Sequence, residues 1–167
     1  MTVARRGGGG TRATVALERA GVAFTVHPYE IPADASESSV GESAASALGV
    51  SADEVFKTLV AEVDGKPVCG LVPVSGTLSL KALAKAAGGK RARMAESSDA
   101  ERLTGYVTGG ISPFGQLRSL PTYVDASASA HDAIYVSAGR RGLQLRVSPD
   151  DLLTQTRASS VEGLAAG

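Results

Sequence analysis

The sequence predicts a single compact α/β domain of the α+β kind, with helices set around a mixed or predominantly antiparallel β-sheet. Three observations predict it. Segments of helical and strand character interleave along the chain. A strong hairpin signal, Asp64-Gly65, separates two apolar runs. A length of 167 residues with 43% hydrophobic content suits one buried core. Only 4% of residues are aromatic and none is Trp, so that core must be built from Val, Leu, Ile and Ala.

The elements follow in order. Residues 13–20 read as a short helix stopped by Gly21, and 22–26 as a strand. Residues 28–39, rich in Pro, Asp and Ser, read as a loop, and 41–48, ended by Gly49, as a second helix. A strand at 55–63 turns through Asp64-Gly65 into a strand at 67–74. Ser79 caps a helix through residue 87, with Leu80, Leu83 and Ala84 on its apolar face and Lys81 and Lys85 outward. A strand at 91–95, a helix at 98–103 and a loop at 104–117 come next. Strands at 121–124, 133–136 and 143–147 precede a helix that begins at Pro149, a favoured first helical position. The small and polar ends, 1–11 and 158–167, read as flexible tails, leaving 12–157 as the domain.

Composition narrows the function. The lone Cys69 cannot close an internal disulfide, and no run is long and apolar enough to span a bilayer, so the expected setting is cytoplasmic. Net charge is zero but uneven. Residues 20–64 carry eight acids against one base, Lys57, whereas 65–146 carry eleven bases against five acids. Such asymmetry fits a basic face for a polyanion, or ordinary solvated surface.

The segment Gly109-Gly110-Ile111-Ser112-Pro113-Phe114-Gly115 is a loop whose backbone can approach a ligand and offer amide donors. It lacks the spacing of a dinucleotide fingerprint or a P-loop, so it is not read as a doubly wound nucleotide fold. Lys57 reads either as an edge lysine that snorkels or as a cation facing a ligand. Thr58 and Ser137 read as backbone-capping or site hydroxyls, and Tyr29 as a rim aromatic or a site aromatic. Arg140 and Arg141, between Gly139 and Gly142, read as a solvated hairpin tip ahead of a specific polyanion contact. Cys69, in an apolar run, reads as a buried, inert thiol. His27 and His131 lack partners at metal-ligand spacing, so no metal is expected. A Ser112, His131, Asp132 triad can be written from the sequence but has no spacing signal.

In unbroken order from about residue 12 to 156, several segments carry a resemblance: His27-Pro28-Tyr29, Gly41-Glu42, Phe56-Lys57-Thr58-Leu59, Leu80-Lys81-Ala82-Leu83, Thr104-Gly105-Tyr106, the 109–116 loop, and Ile134-Tyr135-Val136-Ser137 with Gly139-Arg140-Arg141-Gly142-Leu143. The chain resembles the YbaK/EbsC family of aminoacyl-tRNA deacylases, related to the editing domain of bacterial prolyl-tRNA synthetases. The resemblance implies a sheet or partly closed barrel with surrounding helices, and a freestanding enzyme that removes cysteine from mischarged proline tRNA. It implies alanine as the second amino acid; a noncatalytic module that binds an aminoacyl-adenosine or nucleotide end is the alternative reading from a different class. It implies no cofactor, and a mechanism in which the substrate's own thiol attacks the ester and the protein supplies orientation and oxyanion donors. Lys57 and Gly109 then carry catalysis, while Tyr29, Thr58, Gly110, Ile111, Ser112, Pro113 and Ser137 bind substrate. Prolyl-tRNA synthetase is the implied partner. Three positions depart from the family pattern: Val40 stands where relatives often have an aromatic, Leu117 where many have a lysine and Gln144 where some have an aspartate.

Overall fold

The computed structural model describes residues 5–6, 10–33 and 40–167. Eleven strands and five helices are formed among them: β1 (Arg5–Arg6), α1 (Arg12–Arg19), β2 (Thr25–Pro28), α2 (Val40–Leu48), β3 (Phe56–Val63), β4 (Lys66–Pro73), β5 (Thr77–Leu78), α3 (Leu80–Ala86), β6 (Ala92–Met94), α4 (Ser97–Thr104), β7 (Thr122–Asp125), β8 (Ile134–Arg140), β9 (Leu143–Val147), α5 (Pro149–Thr156), β10 (Ser159–Val161) and β11 (Ala165–Ala166). A 3₁₀ helix, Ala126–Ala130, follows β7.

Local chemistry sets the helix ends. Thr11 and Thr14 form a reciprocal capping box at the start of α1. Gly21, at φ +71°, ends it in a Schellman motif, with the Val22 amide donating to Leu17 and the Gly21 amide to Glu18. That motif uses Val22, so β2 begins at Thr25 rather than at residue 22. The loop expected at 28–39 lies partly outside the described residues, and α2 starts at Val40.

The strands form two main sheets. An antiparallel sheet has the order β1-β2-β9-β8, and a mixed sheet the order β10-β7-β4-β3-β6. In the mixed sheet β3 and β4 form the hairpin read from Asp64-Gly65, whose two residues both have positive φ, as a type I′ turn requires. An isolated parallel bridge, Val55 to Tyr135, ties the two sheets together. The main core fills the space between them, with Phe56, Val60, Leu71, Val124, Ile134, Val136 and Leu145 at its centre. The outer face of the mixed sheet is covered by α3 through Leu83 and Ala84, and α2 packs through Ala44 and Ala45 near the bridge.

The C-terminal segment corrects the expectation of a tail. Ser159–Val161 adds to β7 as a parallel strand, Ala165–Ala166 pairs with Thr77–Leu78, and Leu164 is fully buried between α3 and the sheet. Leu164 anchors the stretch, with Val161 and Ala165 partly buried against the same cluster. At the other end, Arg5–Arg6 pairs with Thr25 and Val26, and the rest of the segment 1–9 lies outside the described residues.

Candidate active site

The seam between the sheets makes the site. The Glu54 carbonyl accepts from Tyr135 and the Val60 carbonyl accepts from Ala95, so even-numbered positions of β3 face away from β4. β6 pairs with β3 from Ala61 onward and the bridge to β8 sits at Val55, so the stretch between them has no strand partner on that side. The Thr58 backbone groups therefore face a gap. A cavity of about 280 Å³ fills it, lined by Val55 and by β3 from Phe56 to Val60, by Ser137 and Gln144 of the other sheet, by Thr108, Gly109 and Ile111 of the glycine loop, by Val40 and Glu42 of α2, and by Ala95, Ser97 and Ala100 near the start of α4.

Seven residues named from the sequence as site residues or departures share this cavity: Val40, Lys57, Thr58, Gly109, Ile111, Ser137 and Gln144. Lys57 is half-buried and pairs with no carboxylate among the described residues. Glu42, at the rim, is the one carboxylate lining the space among them. Ser137 and Gln144 are direct cross-strand partners in β8 and β9, which is why they reach the cavity together. The Ser137 hydroxyl accepts from the Gly139 amide at 3.2 Å. By contrast, Thr58 Oγ1 and Gln144 Oε1 are buried with no hydrogen-bond partner among the described residues. A buried polar atom left unpaired costs on the order of 1–3 kcal/mol, so such atoms facing a cavity suit a ligand that completes them.

The loop is held from both sides. Gly110 donates its amide to the Val107 carbonyl at 2.9 Å, closing a turn in which Gly109 has φ +88°. Thr108 donates its amide (2.8 Å) and hydroxyl (3.2 Å) to Glu101 of α4. Arg141 donates to the Thr108 carbonyl from Nε (2.9 Å) and Nη2 (2.7 Å). The expectation of a purely solvated tip at Arg140 and Arg141 is thus corrected for Arg141, which is exposed but bonded to the loop. Further on, the Tyr106 hydroxyl donates to the Phe114 carbonyl, and burial pushes that phenol up to about 12.

Several expected residues lie elsewhere. The Gly110 amide is occupied by the turn, and a Cβ there would sit 2.9 Å from the Arg140 and Arg141 backbone, so this glycine serves close packing. Ser112 is fully buried, and its hydroxyl accepts from the Phe114 amide at 3.3 Å. Pro113 lines a second cavity, between α1 and α5. Tyr29 packs beside α2, donates its amide to Gly142, and buries its hydroxyl near Gln144 without a hydrogen bond of good geometry. Burial raises its phenol above the usual range, against the opposing influence of Gly142, Gln144 and Arg141. Cys69 is fully buried and its thiol is pushed up to about 11 by that burial, as an inert core position requires.

Glu42 and Thr108 are cavity residues that reading the sequence did not single out as functional. The first had a faint signal in the Gly41-Glu42 pair, and the second none, because its place depends on Glu101 and Arg141 meeting it from two other elements. Of the three departures, Val40 and Gln144 line the cavity, and Leu117 is an exposed side chain over Gly105.

A cation, a glycine loop and a cavity at the seam between an antiparallel and a mixed sheet thus come together in one place. The chain matches the aminoacyl-tRNA editing domain over residues 35–154. It belongs to that family of proteins, the YbaK/EbsC type. It is 42% identical over 123 residues to EbsC of Enterococcus faecalis, covering 72% of this chain and 74% of that one, a protein provisionally named as a Cys-tRNA(Pro)/Cys-tRNA(Cys) deacylase. It is 26% identical over 111 residues to YwhH of Bacillus subtilis, an uncharacterised protein, with 66% and 71% of the two chains covered. A crystal structure described provisionally as a trans-editing enzyme for prolyl tRNA synthetase is 25% identical, with a TM-score of 0.76 over 93% of this chain and 96% of that one. Among the described residues no helix is long and apolar enough to cross a membrane.

Proposed function

We propose that this chain is a trans-editing deacylase that clears cysteine from mischarged proline tRNA in the cytoplasm. The observation that carries the reading is the meeting, in one small cavity, of Gly109 and a Lys57 that pairs with no carboxylate among the described residues. The kinship with EbsC supports the choice of a cysteinyl ester. A space of about 280 Å³ is at the small end of ligand sites, suited to an aminoacyl group with the tRNA itself outside.

The chemistry needs no group to become covalently modified on the protein. The substrate thiol attacks its own ester carbonyl, an S–C bond forms, and the C–O bond to the ribose breaks. The thiol proton ends on the departing 3′ oxygen, and a cyclic thiolactone leaves. Holding thiol and carbonyl together replaces a bimolecular encounter. The Gly109 and Ile111 amides, neither bonded elsewhere among the described residues, face the oxygen on which charge develops. Lys57 holds the ester region or the neighbouring phosphate by its charge. Thr58 and Gln144 complete their hydrogen bonds on the aminoacyl group. Prolyl-tRNA synthetase, in a transient complex, supplies the tRNA selectivity that so small a site leaves to others.

Incubation with labelled Cys-tRNA(Pro), Ala-tRNA(Pro) and Ser-tRNA tests the reading. Release of a thiolactone from the first is the expected result. Cleavage of alanyl ester instead points to the alanine specificity, equal cleavage of seryl ester removes the thiol step, and no cleavage leaves a binding module.

A further inference from the structure

We propose that Arg141 is a positioning residue that locks the Thr108–Gly109 peptide so that the Gly109 N–H faces the cavity. The proposal rests on the reading of Gly109 as an oxyanion donor and adds the means by which its amide is aimed.

The geometry points to this device in three steps. The turn Val107–Gly110 is closed by the Gly110 amide, Gly109 has φ +88°, and Thr108 is not among the residues of positive φ. That combination is a type II turn, with glycine at its third position. Type I and type II turns share the same ends and differ by roughly a half-turn of the central peptide, and glycine at the third position tolerates both. Here the central peptide is the one that joins Thr108 to Gly109.

The second step is the clamp. Arg141 grips the oxygen of this very peptide with two N–H groups, at 2.9 and 2.7 Å. In a trans peptide the N–H lies opposite the C=O, so a carbonyl fixed toward Arg141 fixes the Gly109 N–H away from it, and Gly109 and Thr108 are both among the residues that line the cavity. Charge-assisted donation to the oxygen also polarises the peptide and strengthens the N–H as a donor. Released from Arg141, the peptide is free to turn over, presenting a carbonyl oxygen where an oxyanion forms.

The third step is the support behind the arginine. A register irregularity between Ser137 and Arg140, with Gly139 and Gly142 at positive φ, carries the β8–β9 tip over the loop. Gly110 lies against the Arg140 and Arg141 backbone so closely that a Cβ would come within 2.9 Å. Glu101 independently fixes the preceding amide, that of Thr108, so loss of Arg141 frees one peptide rather than the whole loop.

The test compares wild type, Arg141→Gln and Arg141→Lys by steady-state deacylation of Cys-tRNA(Pro) and by NMR of ¹⁵N-glycine-labelled protein. Removal of one oxyanion donor costs about 100–1,000-fold in turnover, and a donor that is misaimed part of the time costs less. Arg141→Gln is expected to lower kcat about 10–100-fold with KM within about threefold, the mark of an interaction made in the transition state. Arg141→Lys, which keeps the charge but has one donor nitrogen in place of a two-nitrogen fork, falls between. The Gly109 resonance is expected to broaden and exchange faster in Arg141→Gln while that of Gly110 stays. Unchanged kcat overturns the proposal, as does a rise in KM alone with weaker salt dependence, which marks Arg141 as a phosphate contact. If wild type cleaves no aminoacyl-tRNA, the functional reading fails and the Gly109 resonance alone decides the clamp: no change between wild type and Arg141→Gln overturns it. Should Arg141→Gln not fold, the Lys variant carries the same comparison.

Discussion

Gly110→Ala gives a sharp measure of how tightly the loop must sit. The added Cβ would meet three backbone atoms of Arg140 and Arg141 at 2.9 Å, about 0.5 Å inside ordinary contact. Backbone cannot rotate out of the way, so loop and tip must separate by roughly that amount. Gly110 is not at positive φ, so the substitution brings no conformational strain of its own. Overpacking of this kind costs about 1–3 kcal/mol, or roughly 2–10 °C in Tm for a chain of this size. The larger effect falls on the neighbouring Gly109 amide, since displacement of a reacting group by as much as 1 Å is worth about 100-fold. A drop of about 10–100-fold in kcat is therefore expected, beside that modest loss of stability. Steady-state deacylation and thermal unfolding on the same sample check it. Unchanged kcat with the lowered Tm would refute the reasoning, because it would show that the Gly109 position has no part in turnover.

Lys57→Ala is expected to cut kcat/KM by at least 100-fold with little change in Tm, since Lys57 makes no ion pair among the described residues; retained activity in the deacylation assay removes it from the site. Thr58→Val replaces an unpaired buried hydroxyl with a methyl of similar shape, so Tm should rise by a few degrees while KM increases, and a fall in Tm would show that the hydroxyl has a partner. His27 has its pKa lowered by burial, then by Arg146, so the unfolded chain takes up the proton first. The resulting stability is present above about pH 6.5 and is lost as pH falls below it; His27→Gln should flatten that acid slope in urea unfolding curves, and an unchanged slope counts against it. Tyr106→Phe strands the buried Phe114 carbonyl and should cost about 1–3 kcal/mol by the same measurement, with wild-type stability as the refuting result.

Much of this was legible from residues alone, and the boundary of what was legible has physical causes. Two apolar runs and the turn chemistry between them place β3, β4 and their hairpin, because Asp64 and Gly65 are among the few residues at ease with the required φ. Lys57 stood out as the one base in an acidic, apolar stretch, and the Gly109-Gly110 pair as backbone that must pass close to something. What it passes close to was not legible. Arg141 reaches Thr108 across 33 positions of sequence, a contact that only the folded tip creates. Nor does sequence distinguish Gly109, whose amide has no partner among the described residues, from Gly110, whose amide closes the turn. The loop's later half, Ser112 and Pro113, shares its motif with the site but turns into the core and toward the second cavity. The strands at the C-terminus escaped notice because backbone pairing needs no apolar pattern once Leu164 has anchored the segment.

The departure at position 144 fits the proposed chemistry better than it first looks. Gln144 reaches the cavity at nine-tenths burial or more and offers an amide where an aspartate would offer a base. An amide cannot take a proton at neutral pH, and the remaining ionisable groups lining the cavity among the described residues are Lys57 and, at the rim, Glu42. A hydroxyl or a water would need a base beside it to attack an ester. A thiol is less demanding, since a few per cent of it is already thiolate near neutrality and the thiolate is strongly nucleophilic. A site that provides a cation, open amides and a neutral hydrogen-bonding floor therefore favours a nucleophile that arrives with the substrate. On the proposed mechanism, selectivity for the cysteinyl ester then follows from what the cavity withholds as much as from what it binds.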